Sequence, residues 1–584
     1  MNRFLQIITL GILILLGTSC KKQSFLDPQL TGISEKEIFA DSTRTMGFLT
    51  NIYSDVNFSF ANRRFGSAGL SVATDEAEGP VNSSSNVYKQ FITGALNPSN
   101  VSAGPYSVCY ENIRAVNKLL SNLPGAPFNN QQKSRVKGEA LFLRAWYYAM
   151  LLKHYGGIPI VGEAIYGRND DIPAIRSSYD ETVNYVVSQC DSAAKYLSRE
   201  YDARDYGRAT TGACMALKAR VLLYAASPLV NGSSPFAGAP AKKYVAYDSF
   251  DANRWKLAAD AAKVVMNMGY ALYDEPTVAP ETRTGLGFLR VFYAREGVNN
   301  EFIFRGSLSG DFAELWLDQD FSPPTRGGQS NMNGTYPYQE LADDFGMIDG
   351  KAIDDPTAAF PYDPNNPYAN RDPRFNYTIL HNLTLKADFN NSNQLLPVYT
   401  HVGAQYDGIY VGTPTGYYAN KMLRDSAANR IGLGTTRFYP LMRYAEVLLN
   451  YAEATNEFTG PSADVYAALT AIRKRAGITA GANTLYGLKS GMTKEEMRKA
   501  IQHERRVELA FEEQRFWDVR RWLIAPEVEN RTLSGMEITK TATGTYTYKK
   551  VPVRAHKFTT AQYFWPFPLN EVSKPGGLVQ NPGY

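Results

Sequence analysis

Three glutamates at helical spacing are the first residues whose arrangement could do chemistry. Glu504, Glu508 and Glu512 are four residues apart, which places them on one face of a helix. Two facing carboxylates could act as general acid and base on a glycosidic bond. Arginines stand among them, including Arg505 and Arg515, and alternating charges at this spacing are typical of a salt-bridged helix. We therefore expect a structural ion-pair junction and no catalytic residue.

Other catalytic and metal-binding patterns are missing from the sequence. His503 precedes Glu504 without the second histidine of HExxH, and the other four histidines have no ligand spacing. No GxSxG, P-loop or GxGxxG helix opening is present. Asp318 and Asp320 could contribute to a calcium site, but a solvated acidic loop is the simpler interpretation. The sequence predicts no enzyme, no metal and no cofactor.

The composition is that of a large folded protein without a nucleic-acid footprint. The 584 residues are 44% hydrophobic and 20% charged, enough for two lobes or one elongated repeat array. Lys and Arg number 61 against 57 Asp and Glu, so the net charge is only +4. We expect no nucleic-acid partner.

The N-terminus predicts secretion. A basic start is followed by an apolar run from Phe4 to Leu16 and by small residues before Cys20. This resembles a bacterial lipobox, although Leu16 lies one place too far upstream; the alternative is an ordinary signal peptide cleaved near Ser19. We expect residues 1–19 to be the signal peptide and Cys20 to carry the lipid.

The other cysteines are widely spaced and odd in number. Cys109, Cys190 and Cys214 form no CxxC motif, so neither a disulfide framework nor a zinc site is expected. Each lies in an apolar helical stretch, which predicts small buried side chains.

The elements that must position any site are mostly helices. Apolar residues recur at helical spacing from Gly138 to His154, a helix that should stop at Gly156, with Ile158–Val161 extended. The other predicted helices are 106–122, 179–197, 211–227, 253–268, 440–458, 462–476 and 493–522. Taken in pairs they are typical of tetratricopeptide-like units, which must stack to bury their apolar faces.

Two segments have a different composition. The insertion 274–438 and the stretch 57–104 are rich in turn-forming residues and carry scattered aromatic side chains. Loops on a rigid frame are where binding residues usually lie. We expect these segments to form an irregular binding face on the helical frame.

A series of motifs along the chain resembles the SusD/RagB family. In chain order they are Phe25–Pro28, Gly138–Tyr148, Tyr155–Pro159, Gly207–Thr210, Ala225–Pro228, Asp372–Phe375, Arg443–Ala454, Glu504–Glu512, Arg515–Trp522 and Gln580–Tyr584. Each is modest alone, but their order from residue 20 onward is typical of the family.

The resemblance implies a mainly α fold of four tetratricopeptide-like helix pairs with a loop-rich ligand-binding insertion. It implies an N-terminal helical region at 20–230 and a C-terminal region at 231–584. It also implies a lipoprotein anchored in the outer membrane of a Bacteroidetes-type bacterium and facing the exterior. Such a protein captures an oligosaccharide or polysaccharide and delivers it to a SusC-like TonB-dependent transporter.

Glycan capture requires exposed aromatic rings with polar neighbours, because sugar rings stack on aromatic faces and their hydroxyls form hydrogen bonds. Two groups of loop residues fit this description. They are Trp316 with Phe312 and Phe321 in the insertion, and Tyr88 with Asp75 and Asn86 in the N-terminal stretch.

Two alternatives belong to other functional classes. A secreted glycoside hydrolase would need two carboxylates about 5 to 9.5 Å apart across a groove, and the irregular region singles out no such pair. A helical-repeat scaffold that binds only protein has no use for a large aromatic, Pro- and Gly-rich insertion.

Overall fold

The frame of the protein is a row of eight long helices, each packed against the next. The computed structural model describes residues 33–58, 69–81, 87–102, 104–167, 170, 175–275, 283–294, 298–306, 317–388, 394–423, 439–574 and 576–584. The helices within them are α1 (Glu35–Phe39), α2 (Ser42–Tyr53), α3 (Lys89–Ile92), α4 (Gly104–Asn122), α5 (Asn130–Tyr155), α6 (Tyr179–Ala194), α7 (Thr211–Ala226), α8 (Lys242–Val245), α9 (Asn253–Met266), α10 (Leu286–Arg290), α11 (Gln339–Asp344), α12 (Pro373–Thr378), α13 (Tyr444–Thr459), α14 (Ala463–Arg475), α15 (Lys494–Glu508), α16 (Arg515–Arg521), α17 (Ala525–Glu529) and α18 (Leu569–Val572).

The long helices form four successive pairs. The pairs are α4 with α5, α6 with α7, α9 with α13, and α14 with α15. Neighbouring pairs also pack together, through α5 on α6, α7 on α9, and α13 on both α14 and α15. This array confirms the predicted mainly α fold.

Local sequence explains where these helices begin. Three of them start at capping boxes, in which an N-cap side chain and the residue three positions later satisfy each other's backbone N–H groups. The boxes are Asn129 with Gln132, Ser178 with Glu181, and Thr493 with Glu496. Helix α5 is buried almost all round from Val136 to Tyr155, so it forms the centre of the core.

The insertion leaves the frame between the two helices of the third pair. Its ends are joined by an antiparallel pairing of β2 (Phe302–Gly306) with β8 (Tyr439–Arg443), which lies directly before α13. The other strands are short, except for a long C-terminal hairpin. They are β1 (Ala77–Glu78), β3 (Tyr336–Pro337), β4 (Ile379–Leu380), β5 (Leu385–Ala387), β6 (Leu395–Pro397), β7 (Tyr418–Ala419), β9 (Thr532–Lys540) and β10 (Tyr546–Ala555).

Two predicted elements differ from the structure. Residues 440–443 belong to β8 and not to a helix, because they close the base of the insertion. The predicted helix 493–522 is broken between α15 and α16, where Phe511 and Glu513 have positive φ values of 60° and 57°.

Two chain-wide features complete the description. Cys109, Cys190 and Cys214 are buried, as the sequence predicts. Among the described residues, no helix combines the length and the apolarity needed to cross a membrane.

Candidate functional site

The two loop-rich segments of the sequence meet at one face of the molecule. Strand β1, in the N-terminal segment, pairs with β3 in the insertion. The Val81 N–H donates to the carbonyl of Met332 at 2.9 Å. Backbone hydrogen bonds thus join the segments that the sequence predicted to share a binding face.

A second set of contacts adds the loop 399–411 to this face. The backbone N–H of Thr325 donates to the buried carboxylate of Asp407 at 2.9 Å. Arg326 reaches across to the carbonyl of Leu396 at 2.9 Å. Burial is the main reason that the pKa of Asp407 is raised, although its hydrogen bonds with Thr325 oppose the rise. The turn at 324–326 therefore fixes the position of the loop.

The exposed aromatic side chains of this face are tyrosines. Tyr399, Tyr406 and Tyr410 are 43%, 56% and 53% exposed. Two half-buried side chains, His401 and Tyr546, lie beside these tyrosines. The ring centroid of His401 is 5.9 Å from that of Tyr399 and 5.7 Å from that of Tyr546. We call these five side chains the tyrosine face.

Hydrogen bonds hold the loop that carries Tyr399, Tyr406 and Tyr410. The Ile409 N–H donates to the Thr400 carbonyl at 3.0 Å, so Tyr399 and Tyr410 lie at the two ends of a closed loop. Tyr410 has a φ of 72°, a left-handed conformation that costs a non-glycine residue about 1–3 kcal/mol. Its hydroxyl donates to Glu537 on β9 at 2.6 Å, and burial and that carboxylate raise the pKa of Tyr410 to about 12. The surrounding contacts must stabilise this strained residue.

Three of the predicted glycan-binding side chains lie in the interior. Tyr88 is 1% exposed and donates to Glu78 at 3.2 Å and to the Pro80 carbonyl at 3.1 Å. Phe321 packs on Phe511 with ring centroids 5.5 Å apart. Asp75 is fully buried. The structure corrects the expectation of exposed groups here, because these side chains join the loops to the core and present no open face to a sugar.

Asp75 is held by arginines from the C-terminal helices. Arg515 donates to it at 2.9 and 2.8 Å, and Arg506 forms a second ion pair. Burial alone would raise the pKa of Asp75, but these two guanidinium groups hold it well below its usual range. This carboxylate connects the N-terminal loop to α15 and α16.

The remaining predicted residues cannot be placed. Four of them lie outside the described residues, namely Trp316, Phe312, Asn86 and Cys20. Trp316 directly precedes the helical turn at 317–321, whose Asp320 carbonyl accepts the Thr335 N–H at 2.8 Å. The chain on the C-terminal side of Trp316 is therefore attached to the same group of loops as the tyrosine face.

A buried ion network attaches the insertion to the frame. Among the described residues its members are five cations and five carboxylates, with no side chain more than 7% exposed. They are Arg374, Lys421, Arg443, Arg473 and Arg475 with Glu301, Asp372, Glu504, Glu508 and Glu512. The expected ion pairing of the three spaced glutamates is confirmed.

Glu508 lies at the centre of this network. Arg443 and Arg374 contact it at 2.7 and 3.0 Å, and Arg475 forms a third ion pair. Burial alone would raise the pKa of Glu508, but Arg475, Arg443 and Arg374 lower it to about 2. A carboxylate that is fully neutralised in this way is a poor general acid or base near neutral pH.

No catalytic or metal-binding arrangement stands out in the part of the chain that the structure describes. No group of three or more His, Cys, Asp or Glu side chains there could hold a metal ion. Asp320, half of the possible calcium pair, is buried at 2% exposure.

The tyrosine face was missed in the sequence. Its signal was the density of tyrosines among turn residues between Pro397 and Tyr418. Types and spacing did not distinguish these tyrosines from buried ones such as Tyr417 and Tyr418, which lie only a few residues further on.

Two family models match the chain and together span most of it. One is described as the SusD family and matches residues 300–584. The other is described as starch-binding associating with outer membrane and matches residues 37–223. A SusD-like protein of Formosa agariphila is 24% identical over 422 residues, which are 72% of this chain and 71% of that protein.

Solved structures share the whole architecture. A SusD-like protein of Bacteroides fragilis is 25% identical, with a TM-score of 0.75 over 94% of this chain and 99% of that one. A SusD-like carbohydrate binding protein of the same species is 22% identical, with a TM-score of 0.71 over 91% of this chain and 98% of that one. The helical frame and its insertion therefore occur together in these proteins.

Proposed function

Because the chain belongs to the SusD family of carbohydrate-binding proteins, we propose that it captures oligosaccharide at the cell surface and delivers it to a SusC-like TonB-dependent transporter. The observation that carries this proposal is the tyrosine face. Its exposed tyrosines belong to a loop that is held by hydrogen bonds, in an insertion that a buried ion network joins to the frame. A rigid aromatic surface of this kind suits sugar rings, because little side-chain entropy is lost when the ligand binds.

We propose that Trp316 contributes to the same binding surface. Trp offers the widest stacking face of any side chain, and the half-buried Asp318 follows it in the sequence. The Trp316 segment continues into the helical turn that is hydrogen-bonded to the loops of this face. A glycan lying across Trp316 and the tyrosines would contact two loops at once.

We also propose a site of contact with the transporter. Leu385 and Leu395 on the β5–β6 hairpin are 58% and 49% exposed, and they neighbour the face in sequence. Exposed apolar side chains grouped on one hairpin are typical of protein contacts and do not bind sugar hydroxyls. Co-purification of the transporter with Leu385→Ser/Leu395→Ser should be weaker than with the unchanged protein. Unchanged recovery would contradict this assignment.

The capture step is tested by titrating the mature protein with a panel of oligosaccharides while product sugars are assayed. We expect binding without cleavage, and about tenfold weaker binding in Tyr406→Ala. Phe250→Ala is the matched control, since Phe250 is 61% exposed and lies outside the tyrosine face. Cleavage by the unchanged protein would show a hydrolase, and equal losses in both variants would remove the tyrosine face from the binding site.

A further inference from the structure

A pocket of about 390 Å³ opens on the helical frame and shares no residue with the tyrosine face. It lies between the loop that joins α6 to α7, the residues after α9, and the start of β2. Its volume falls within the range of about 300–1,000 Å³ that small-molecule sites occupy.

Three tyrosines form much of the pocket wall, and two of them are covered by arginines. The Arg135 guanidinium lies 4.2 Å from the ring centre of Tyr201. That of Arg305 lies 4.3 Å from the ring centre of Tyr206. Tyr270 is the third, and burial raises its pKa, with an opposing contribution from Thr210. Of the three rings, Tyr270 is the one that leaves a flat apolar surface, with a hydroxyl group at its edge, to the pocket.

Two of the cationic side chains that line the pocket are Arg199 and Arg305. Arg305 also donates to the backbone carbonyl of Tyr206. Each guanidinium lies against a glycine of positive φ, Arg305 on Gly207 and Arg199 on Gly269, where an added Cβ would overlap it. The glycines thus allow both cations to lie close to the backbone.

The acidic side chains in and around the pocket differ in the ion pairs that they form. Asp205 is paired with Arg135 at 2.7 Å, and Arg208, another lining cation, is paired with the buried Glu139 at 3.1 Å. Glu200 pairs with Arg199 at 3.4 Å, and these side chains are 80% and 52% exposed. Exposed pairs of this kind contribute at most about 1 kcal/mol. A ligand carboxylate can therefore replace Glu200 beside Arg199 at little cost.

From this arrangement we propose that the pocket is a second carbohydrate subsite, selective for an acidic sugar unit such as a hexuronate. The carboxylate would lie between Arg199 and Arg305, since arginine binds carboxylates through paired hydrogen bonds. The sugar ring would lie against Tyr270, with the exposed Asn300 amide within reach of its hydroxyls. Asn300 is fixed through its carbonyl, which accepts the Ala271 N–H at 3.2 Å. This assignment rests on the proposed glycan-binding function and narrows its substrate class.

The test is ligand-observed NMR titration of the full mature chain with sodium D-glucuronate, and with D-glucose as the neutral match. We expect the unchanged protein to bind glucuronate at least about tenfold more tightly than glucose. Arg199→Gln should weaken glucuronate binding by about tenfold or more, with partial recovery in Arg199→Lys, and it should fold normally because Arg199 is exposed. The control is Arg204→Gln, because Arg204 is an exposed arginine of the same loop outside the pocket. This variant should bind glucuronate as the unchanged protein does.

Three outcomes would overturn the assignment: no glucuronate binding, equal binding of glucose, or an Arg199→Gln variant that binds as the unchanged protein does. Oligosaccharide binding by the Tyr406→Ala variant shows whether only the acidic subsite fails or the proposed capture function fails as well. If oligosaccharide binding depends on Tyr406 while glucuronate fails to bind, the capture function stands and only the acidic subsite is lost. If neither ligand binds, both proposals fall.

Discussion

At the residue scale, exposure and not residue type separates binding candidates from core. Tyr88 and Tyr406 are the same side chain among similar turn-forming neighbours, yet Tyr88 is 1% exposed and Tyr406 56%. The tyrosine hydroxyl allows both positions, because it can be satisfied by a buried carboxylate or by water. Loop sequence therefore identifies where aromatic side chains are numerous but not which of them face a ligand.

Replacement of Trp316 by alanine should weaken glycan binding without unfolding the protein. Loss of one stacking platform should cost on the order of 1–3 kcal/mol, a roughly ten- to hundredfold loss of affinity. Calorimetric titration with whichever glycan the unchanged protein binds measures the effect, with a thermal melt alongside. Unchanged affinity would eliminate Trp316 as a platform, and a collapsed melt would show that it is a core residue.

Glu76 should make the protein less stable as the pH rises toward 8. It is 1% exposed, and burial raises its pKa to about 7, with Arg506 opposing this rise and Asp75 adding to it. In the unfolded chain the glutamate pKa is about 4.3. A raised folded pKa gives stability that is complete below about pH 4.3 and is lost as the pH rises through 7.

Glu76→Gln should therefore flatten the fall in melting temperature between about pH 5 and 8, since glutamine carries no titrating proton. Glu111→Gln serves as the control, because Glu111 is exposed on α4 and should leave the profile unchanged. A Glu76→Gln profile as steep as that of the unchanged protein would contradict this account.

At the element scale, the ion network joins the insertion to the frame. Helix α15 presents Glu504 and Glu508 toward Arg374, which comes from the insertion, and toward Arg443, which lies at the base of the insertion on β8. The insertion buries apolar side chains of its own, such as Phe345 and Phe375, and the directional ion pairs add contacts that join it to the frame. A buried network is stable only while each member keeps its partners.

Glu508→Gln should lower the free energy of unfolding by about 3–5 kcal/mol, because it leaves buried arginines without their charge partner. Thermal or urea unfolding measures the loss. Glu495→Gln on the same helix is the matched control, since Glu495 is exposed and its removal should leave the melting temperature nearly unchanged. A fully stable Glu508→Gln variant that abolished a measurable hydrolysis would instead show that the protein is an enzyme.

Acid should weaken the same element. The pKa of Glu508 is lowered to about 2 in the folded protein, against about 4.3 unfolded. The stability it contributes is therefore present above about pH 4.3 and is lost as the pH falls toward 2. Unfolding curves over this range should show a smaller loss for Glu508→Gln than for the unchanged protein, and equal losses would exclude Glu508 as the cause.

At the scale of the whole molecule, the chain separates anchoring, rigidity and capture. The frame supplies rigidity, and the loop face supplies the proposed contacts with sugar. Cys20 remains the proposed anchor, since it follows an apolar signal and small residues. Extracellular placement on a lipid would allow the body to contact both a membrane transporter and its substrate.

Cys20→Ser should release the protein from membranes into the soluble fraction, because no acyl chain would remain to hold it. Fractionation of cells that lack the transporter measures this, so that partner contacts cannot retain the variant. Membrane retention of the variant under these conditions would exclude the lipid tether.

The sequence by itself determined the helical frame, the two loop-rich segments and the structural nature of the charged helix. These follow from local physics: apolar spacing along Gly138–His154, turn residues in 274–438, and alternating charge around Glu508. Only the tertiary structure decided which aromatics are exposed, that Asp75 lies buried between Arg506 and Arg515, and that residues 440–443 form a strand. Each of these depends on contacts between segments far apart in the chain, where burial and partner charge outweigh local preference.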